Sequence, residues 1–156
     1  MSQLLSKVIH ELSDRRRALH HLGALGAGVL LDPALKALAK TSPKRRILFF
    51  TKSAGYQHSS IKRNNGEPSH AEKVLIELGT SHGFEVTATK DGAVFTADNL
   101  KSYDVIFFYT TGDLTQFGEY KEPPMPVEGK KALLDAIRAG KGFVATHSAT
   151  DTFHSA

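Results

Sequence analysis

From Arg46 onward the chain predicts an α/β domain, a doubly wound parallel sheet with helices on both faces. Three observations predict it. Short unbroken apolar runs recur, as in strands buried on both sides. Stretches with helical spacing alternate with those runs. Polar turns follow three of the runs, two of them bearing histidine, at the strand ends where such sheets gather ligands.

The elements follow in order. Residues 47–50 (Ile-Leu-Phe-Phe) form the first strand, after a basic linker at residues 40–45. Ser69 and Glu72 then make a capping box, Ser at the N-cap and Glu at N3. The helix it opens carries Ala71, Val74, Leu75 and Leu78 on one face and ends at Gly79 or Gly83. Residues 84–89 are the second strand, with Phe84, Val86 and Ala88 on one side. Thr96 caps a short helical turn reaching Leu100. Residues 105–109 are the third strand, apolar throughout. A loop with Pro123, Pro124 and Pro126 leads into a helix that turns Leu133, Leu134 and Ile137 inward and ends at Gly140. Residues 142–146 are the fourth strand. The chain stops at Ala156, where a further helix and strand are expected, so the domain at 46–156 reads as incomplete at its C-terminus.

Residues 1–39 read as an address. Arg15, Arg16 and Arg17 precede a weakly apolar run at residues 22–31, and Ala37-Leu38-Ala39 supplies a small-x-small cleavage pattern. Charged region, modest apolar region and cleavage site are the parts of an export signal, and the paired arginines point to the twin-arginine route. Ala18 stands where such signals usually carry Phe. Three glycines within the run count against a retained helix, and the run is too short to span a bilayer stably. The expected location is periplasmic or secreted, with mature protein starting near Lys40.

A length of 156 residues suits one domain. The absence of cysteine excludes disulfides, thiolate zinc sites and cysteine nucleophiles. Of the 20 basic and 16 acidic residues, five and three lie in residues 1–39, leaving 15 against 13. So neutral a body lacks the basic stripe that nucleic acid requires.

Three segments concentrate polar chemistry: residues 52–60 after the first strand, 110–114 after the third and 147–154 after the fourth. Hydroxyl, imidazole and carboxylate groups beside purely apolar strands mark a polar-ligand site. His147 falls at a sharp strand-to-helix turn, where α/β enzymes display a nucleophile. Its imidazole suits a general base or a donor to a substrate oxygen; a helix-capping role is the structural alternative. Ser148 lacks the glycines of a nucleophile elbow and reads more readily as a helix cap. Asp151 either orients His147 from the next helical turn or complements the helix dipole. Asp113 is a loop carboxylate or a turn residue, and His58 resembles His147 in placement. A divalent metal would need His58, His147, His154 and Asp113 to converge without HxxxH or HxH spacing, so no cofactor is assigned. Lys52 to Gly55 lacks the phosphate-loop glycines.

At these segments the chain resembles the trehalose-utilisation (ThuA-like) family. The stretches that carry the resemblance are ILFFTKSAGYQHSSI at 47–61, DVIFFYTTGD at 104–113 and GKGFVATHSATDTF at 140–153. The resemblance implies a flavodoxin-like, class I glutamine amidotransferase-like fold in which His147 replaces the cysteine nucleophile. It also implies a role in sugar metabolism, on trehalose or oxidised disaccharides. By match to the family motifs, Gly55, Tyr56, His58, Gly112, Asp113, His147, Ser148 and Asp151 become site candidates. Thr111 joins them as a substrate-binding candidate from the polar segment after the third strand. The stretch at residues 62–68 is insertion-like and expected to reshape the pocket rim.

The expected function is therefore carbohydrate chemistry. His147 acts as acid/base, Asp151 orients it, and Asp113 and His58 hold sugar hydroxyls beside Gly55, Tyr56, Thr111, Gly112 and Ser148. A sugar-binding module without catalysis and an inactive fragment are the alternatives. The expected partner is a small-molecule carbohydrate, with a homo-oligomer left open and no stable membrane insertion after signal removal.

Overall fold

Residues 47–50 carry no polar side chain, so both faces of the strand they form must be covered. The computed structural model, which describes residues 43–153, does this with helices on either side. The expected export signal and His154 lie outside the described residues. In chain order the elements are β1 (Arg46–Phe50), β2 (Ser53–Ala54), α1 (His70–His82), β3 (Glu85–Thr89), α2 (Ala97–Leu100), β4 (Val105–Phe108), β5 (Thr111–Gly112), α3 (Val127–Arg138) and β6 (Gly142–Ala145). Single 3-10 turns lie at Ser59–Ile61, Gly92–Val94 and His147–Asp151.

The main sheet has the order β3-β1-β4-β6, and every pairing in it is parallel. Register aligns Thr89, Phe50, Phe108 and Ala145 in one row, so the loops leave the strands from a common rim. This is the expected α/β sheet, of flavodoxin-like type.

Side chains alternate across a strand, and the two faces are built differently. Leu48, Phe50, Ile106 and Phe108 face a core shared with Phe95, Leu100, Leu114, Met125 and Leu133. The Phe50 ring lies 4.7 Å from that of Phe95 and 5.4 Å from that of Phe108. Burying each such ring contributes about 1.5–3 kcal/mol. On the opposite face Phe49 packs on Phe107 at 4.9 Å.

Helix α1 opens at the expected capping box, Ser69 and Glu72 each bonding the other's backbone N–H, and Gly83 ends it in the left-handed conformation. Its inward face is not the expected one. Glu72 and Gly79 are buried, whereas Val74 and Leu78 are exposed. The cause is polar: the Glu72 carboxylate accepts from Thr51 Oγ1 at 2.6 Å, Arg63 Nε at 2.9 Å and the Ser69 N–H at 2.8 Å. Burial alone would raise its pKa, but the bonds from Arg63, Thr51 and Ser69 outweigh this and hold it below the ordinary value. Gly79 completes the face, because a Cβ there would stand 2.7 Å from the Phe84 carbonyl oxygen. In α3, Leu133 is buried as expected and Leu134 is exposed.

The two-residue strands β2 and β5 pair in parallel, Ser53 with Thr111 and Ala54 with Gly112. They extend the β1 and β4 directions into the rim. The insertion-like stretch closes on itself by an Asn64–Glu67 bridge and sends Arg63 inward to Glu72.

Candidate functional site

Strand β6 ends at Ala145, and two residues later the chain takes a turn few side chains tolerate. His147 has φ +56°, in the left-handed region. That backbone throws its imidazole over the rim. The ring meets His58, from the segment after β1, at 4.2 Å between centroids and an interplanar angle of 72°. It also stacks on Tyr109, the first residue after β4, at 5.8 Å and 30°. Tyr109 is fixed in turn by Ser60, whose hydroxyl lies 2.9 Å from the phenol oxygen. Tyr56 packs edge-on against His58 at 4.9 Å and leaves 71% of its surface exposed.

Beneath this aromatic group runs a seam of hydroxyls. Thr110 and Thr152 share a 2.6 Å bond, and Thr111 and Ser148 share one of 2.8 Å. The Ser148 hydroxyl donates to the Thr110 carbonyl at 3.3 Å, so the proton between Thr111 and Ser148 comes from Thr111. Ser148 is thus bonded to threonines of the second segment and not to an imidazole. The Phe153 N–H donates to the Gly112 carbonyl at 3.1 Å, tying the end of the third segment to β5. Gly112 has φ +74°, and a Cβ there would lie 2.1 Å from the Ala54 carbonyl oxygen. The close pairing of β2 and β5 therefore requires glycine at 112. Gly55 follows β2 and is likewise in positive φ.

All three segments named from the sequence therefore meet at one rim. His58, Tyr56 and His147 meet through rings, and Thr111, Gly112 and Ser148 through backbone and hydroxyl bonds. Asp113 is committed locally: its Oδ1 accepts from the Thr115 N–H at 2.9 Å and the Thr115 hydroxyl at 2.6 Å, and Oδ2 accepts from Gln116 Nε2 at 3.4 Å. The Thr115 hydroxyl bond is the main reason its carboxyl stays below the usual range. Asp151 closes the turn that His147 opens. That turn is 3-10, with three residues per turn, so position 151 lies about 120° round from position 147. An α-helix would have put the two on one face.

Several residues of the site escaped the sequence reading. Tyr109 passed as the end of an apolar strand, although a Tyr at the carboxyl end of such a run was a usable signal. Gln57 and Ser53 are buried, and the Gln57 carboxamide and Ser53 hydroxyl have no hydrogen-bond partner among the described residues. Lys52 does not face the site as a phosphate-binding group would. It is fully buried, and its ammonium donates to the carbonyls of Leu114, Gln116 and Pro123.

A depression of about 650 Å³ lies elsewhere, at the amino ends of the strands, among Arg45, Leu100, Tyr103, Asp104, Ala136 and Lys141. It holds none of the polar turns. Among the described residues, no three histidine or acidic side chains come together as a metal-binding group. No helix among them is long and apolar enough to cross a membrane.

The family model described as trehalose utilisation, ThuA, matches residues 46–156, well over half of the chain. The chain belongs to the ThuA family. No curated relative and no solved structure matches it. The matched span begins with β1 and takes in all three polar turns, so the whole rim lies within the ThuA domain.

Proposed function

We propose that this ThuA-family protein acts on a disaccharide of the trehalose or keto-disaccharide type, with His147 as the acid/base. The single observation that carries the reading is the contact of His147 with His58 and Tyr109 at the carboxyl rim of the sheet. An imidazole there can take a proton from a sugar hydroxyl, or give one to a leaving oxygen, without leaving its place. His58 and Asp113 would hold neighbouring hydroxyls; Asp151, about 120° round the 3-10 turn from His147, is not assigned to orient it. Tyr56 offers an exposed ring face against which the apolar face of a pyranose can lie. Gly55, with open space where a Cβ would stand, lets the backbone approach the ligand closely.

One observation favours a second reading, sugar binding without catalysis. Asp113 is saturated inside its own turn, and Ser148 is bonded to threonines. Calorimetry and mass spectrometry of the full chain with trehalose, a keto-disaccharide and a sugar library separate the readings. Binding followed by product supports the enzyme. Binding with no product after long incubation supports the module. No binding to any sugar overturns both.

The same proposal puts the mature chain in the periplasm or outside the cell, after twin-arginine export. It needs no cofactor, and its partner is the small carbohydrate.

A further inference from the structure

Lys52 is a buried charged group that the proposed chemistry leaves without a task. It follows Phe50 by two residues and so leaves the strand toward the Phe50 core, where it is fully buried. Its ammonium meets three backbone carbonyls: Gln116 at 2.6 Å, Pro123 at 2.7 Å and Leu114 at 3.2 Å. An ammonium has three N–H donors, and three acceptors answer them. All three belong to one loop, residues 113–125, which is wrapped round a fixed charge as oxygen ligands wrap a metal cation. The next residue adds a fourth tie, the Ser53 carbonyl accepting from the Glu119 N–H at 3.0 Å.

Two of the caged carbonyls lie in the turn that fixes Asp113. Within it the Gln116 N–H donates to the Asp113 carbonyl, while Thr115 and the Gln116 side chain donate to the Asp113 carboxylate. We propose that Lys52 is a positioning residue: its ammonium is the internal cation on which loop 113–125 is folded, and through the Leu114 and Gln116 carbonyls it sets where Asp113 stands at the rim. The consequence for ligand binding rests on the proposed role of Asp113; the cage does not.

Three carboxylates act on the ammonium and favour its charge: Glu122 from the loop, Asp91 from the segment after β3, and Asp113. Burial works against them and takes the pKa down to about 8. Above that pH the amine keeps two N–H groups and turns a lone pair on the third carbonyl.

The test is amide exchange on the full chain, in wild type, Lys52→Met and Lys52→Ala. In Lys52→Met the amides of residues 114–125 are expected to exchange at least about tenfold faster, the scale of a lost charge-assisted bond, while β1 and β4 keep their protection. Propylammonium should restore the loop in Lys52→Ala, and propanol of the same size should not. Where the wild type binds a disaccharide, affinity should fall in Lys52→Ala and return with propylammonium. Exchange that rises equally throughout the domain, or rescue by propanol, overturns the proposal. If neither variant folds, the wild type decides: loop protection, normalised for intrinsic exchange, should fall with a midpoint near pH 8. A flat profile through that pH overturns it. Failure of the wild type to bind sugar counts against the reading of the site and leaves the exchange measurements as the test of Lys52.

Discussion

The imidazoles of His58 and His147 touch at 4.2 Å although 88 residues separate them, because register brings the carboxyl ends of β1 and β6 to one rim. His147 reaches that contact only through its left-handed backbone. Asn tolerates this conformation well and carries no imidazole. His147→Asn is therefore expected to melt as cooperatively as wild type while turnover of a keto-disaccharide falls by about 100-fold or more. Unchanged turnover would remove His147 from the chemistry.

Gly112 is expected to be the least replaceable residue of the rim. Alanine there would place its Cβ 2.1 Å from the Ala54 carbonyl oxygen in a backbone with φ +74°. The conformational penalty alone is about 1–2 kcal/mol, and separating β2 from β5 adds to it. Gly112→Ala should lower the unfolding free energy, read from denaturant titration, by at least about 2 kcal/mol and loosen Ser148. Gly55→Ala, with positive φ but open space around it, should cost less.

Local signals were legible in the sequence, and distant ones were not. The Ser69–Glu72 box sits within four residues, so the start of helix α1 could be placed to the residue. Which face it buries could not, because Glu72 goes inward to meet Thr51 and Arg63, which nothing near it in sequence announces. Val74 and Leu78 are left outside as a result. Lys52 is the same case at longer range: its acceptors lie 62 to 71 residues further on. The histidines were legible as candidates because they break sharply from apolar strands. Gln57 was not, since its burial depends on how the loop folds.

Glu72 gives a pH dependence with a definite sign. Its folded pKa is below the ordinary 4.5, so it contributes stability that is fully present above that pH and lost as pH falls through the folded value. Glu72→Gln should melt lower at neutral pH and converge on wild type in acid. Arg63 is 32% exposed and partly solvated, so the neutral-pH loss should be about 2 kcal/mol, less than the 3–5 for a fully buried pair. Thermal melts of both proteins across the acid range check it. Parallel curves would mean that the carboxylate is not the acid-sensitive group.

Arg15→Lys combined with Arg16→Lys is expected to hold the chain in the cytoplasm as an unprocessed precursor, if the twin-arginine route is used. Cell fractionation and the mass of the exported form, beginning near Lys40, check it. Export of the double variant at the wild-type level would overturn that route.

Gln57 separates stability from binding. The rings of Tyr56 and His58 meet on one side of the loop, so the side chain between them turns the other way, inward, and is 9% exposed. Its carboxamide nitrogen and oxygen have no partner among the described residues, and neither has the Ser53 hydroxyl. Each buried group left unbonded costs about 1–3 kcal/mol. The carboxamide atoms are buried and turned away from the rim, so a disaccharide lying on Tyr56 does not reach them. Gln57→Leu removes the polar atoms and roughly keeps the volume. It should raise the melting temperature by roughly 3–5 °C, about 1 kcal/mol at this chain length, and leave disaccharide binding unchanged. A lower melting temperature would mean that the carboxamide is already satisfied inside the folded protein, by a buried water for instance, and Gln57 would then belong to the support of the loop.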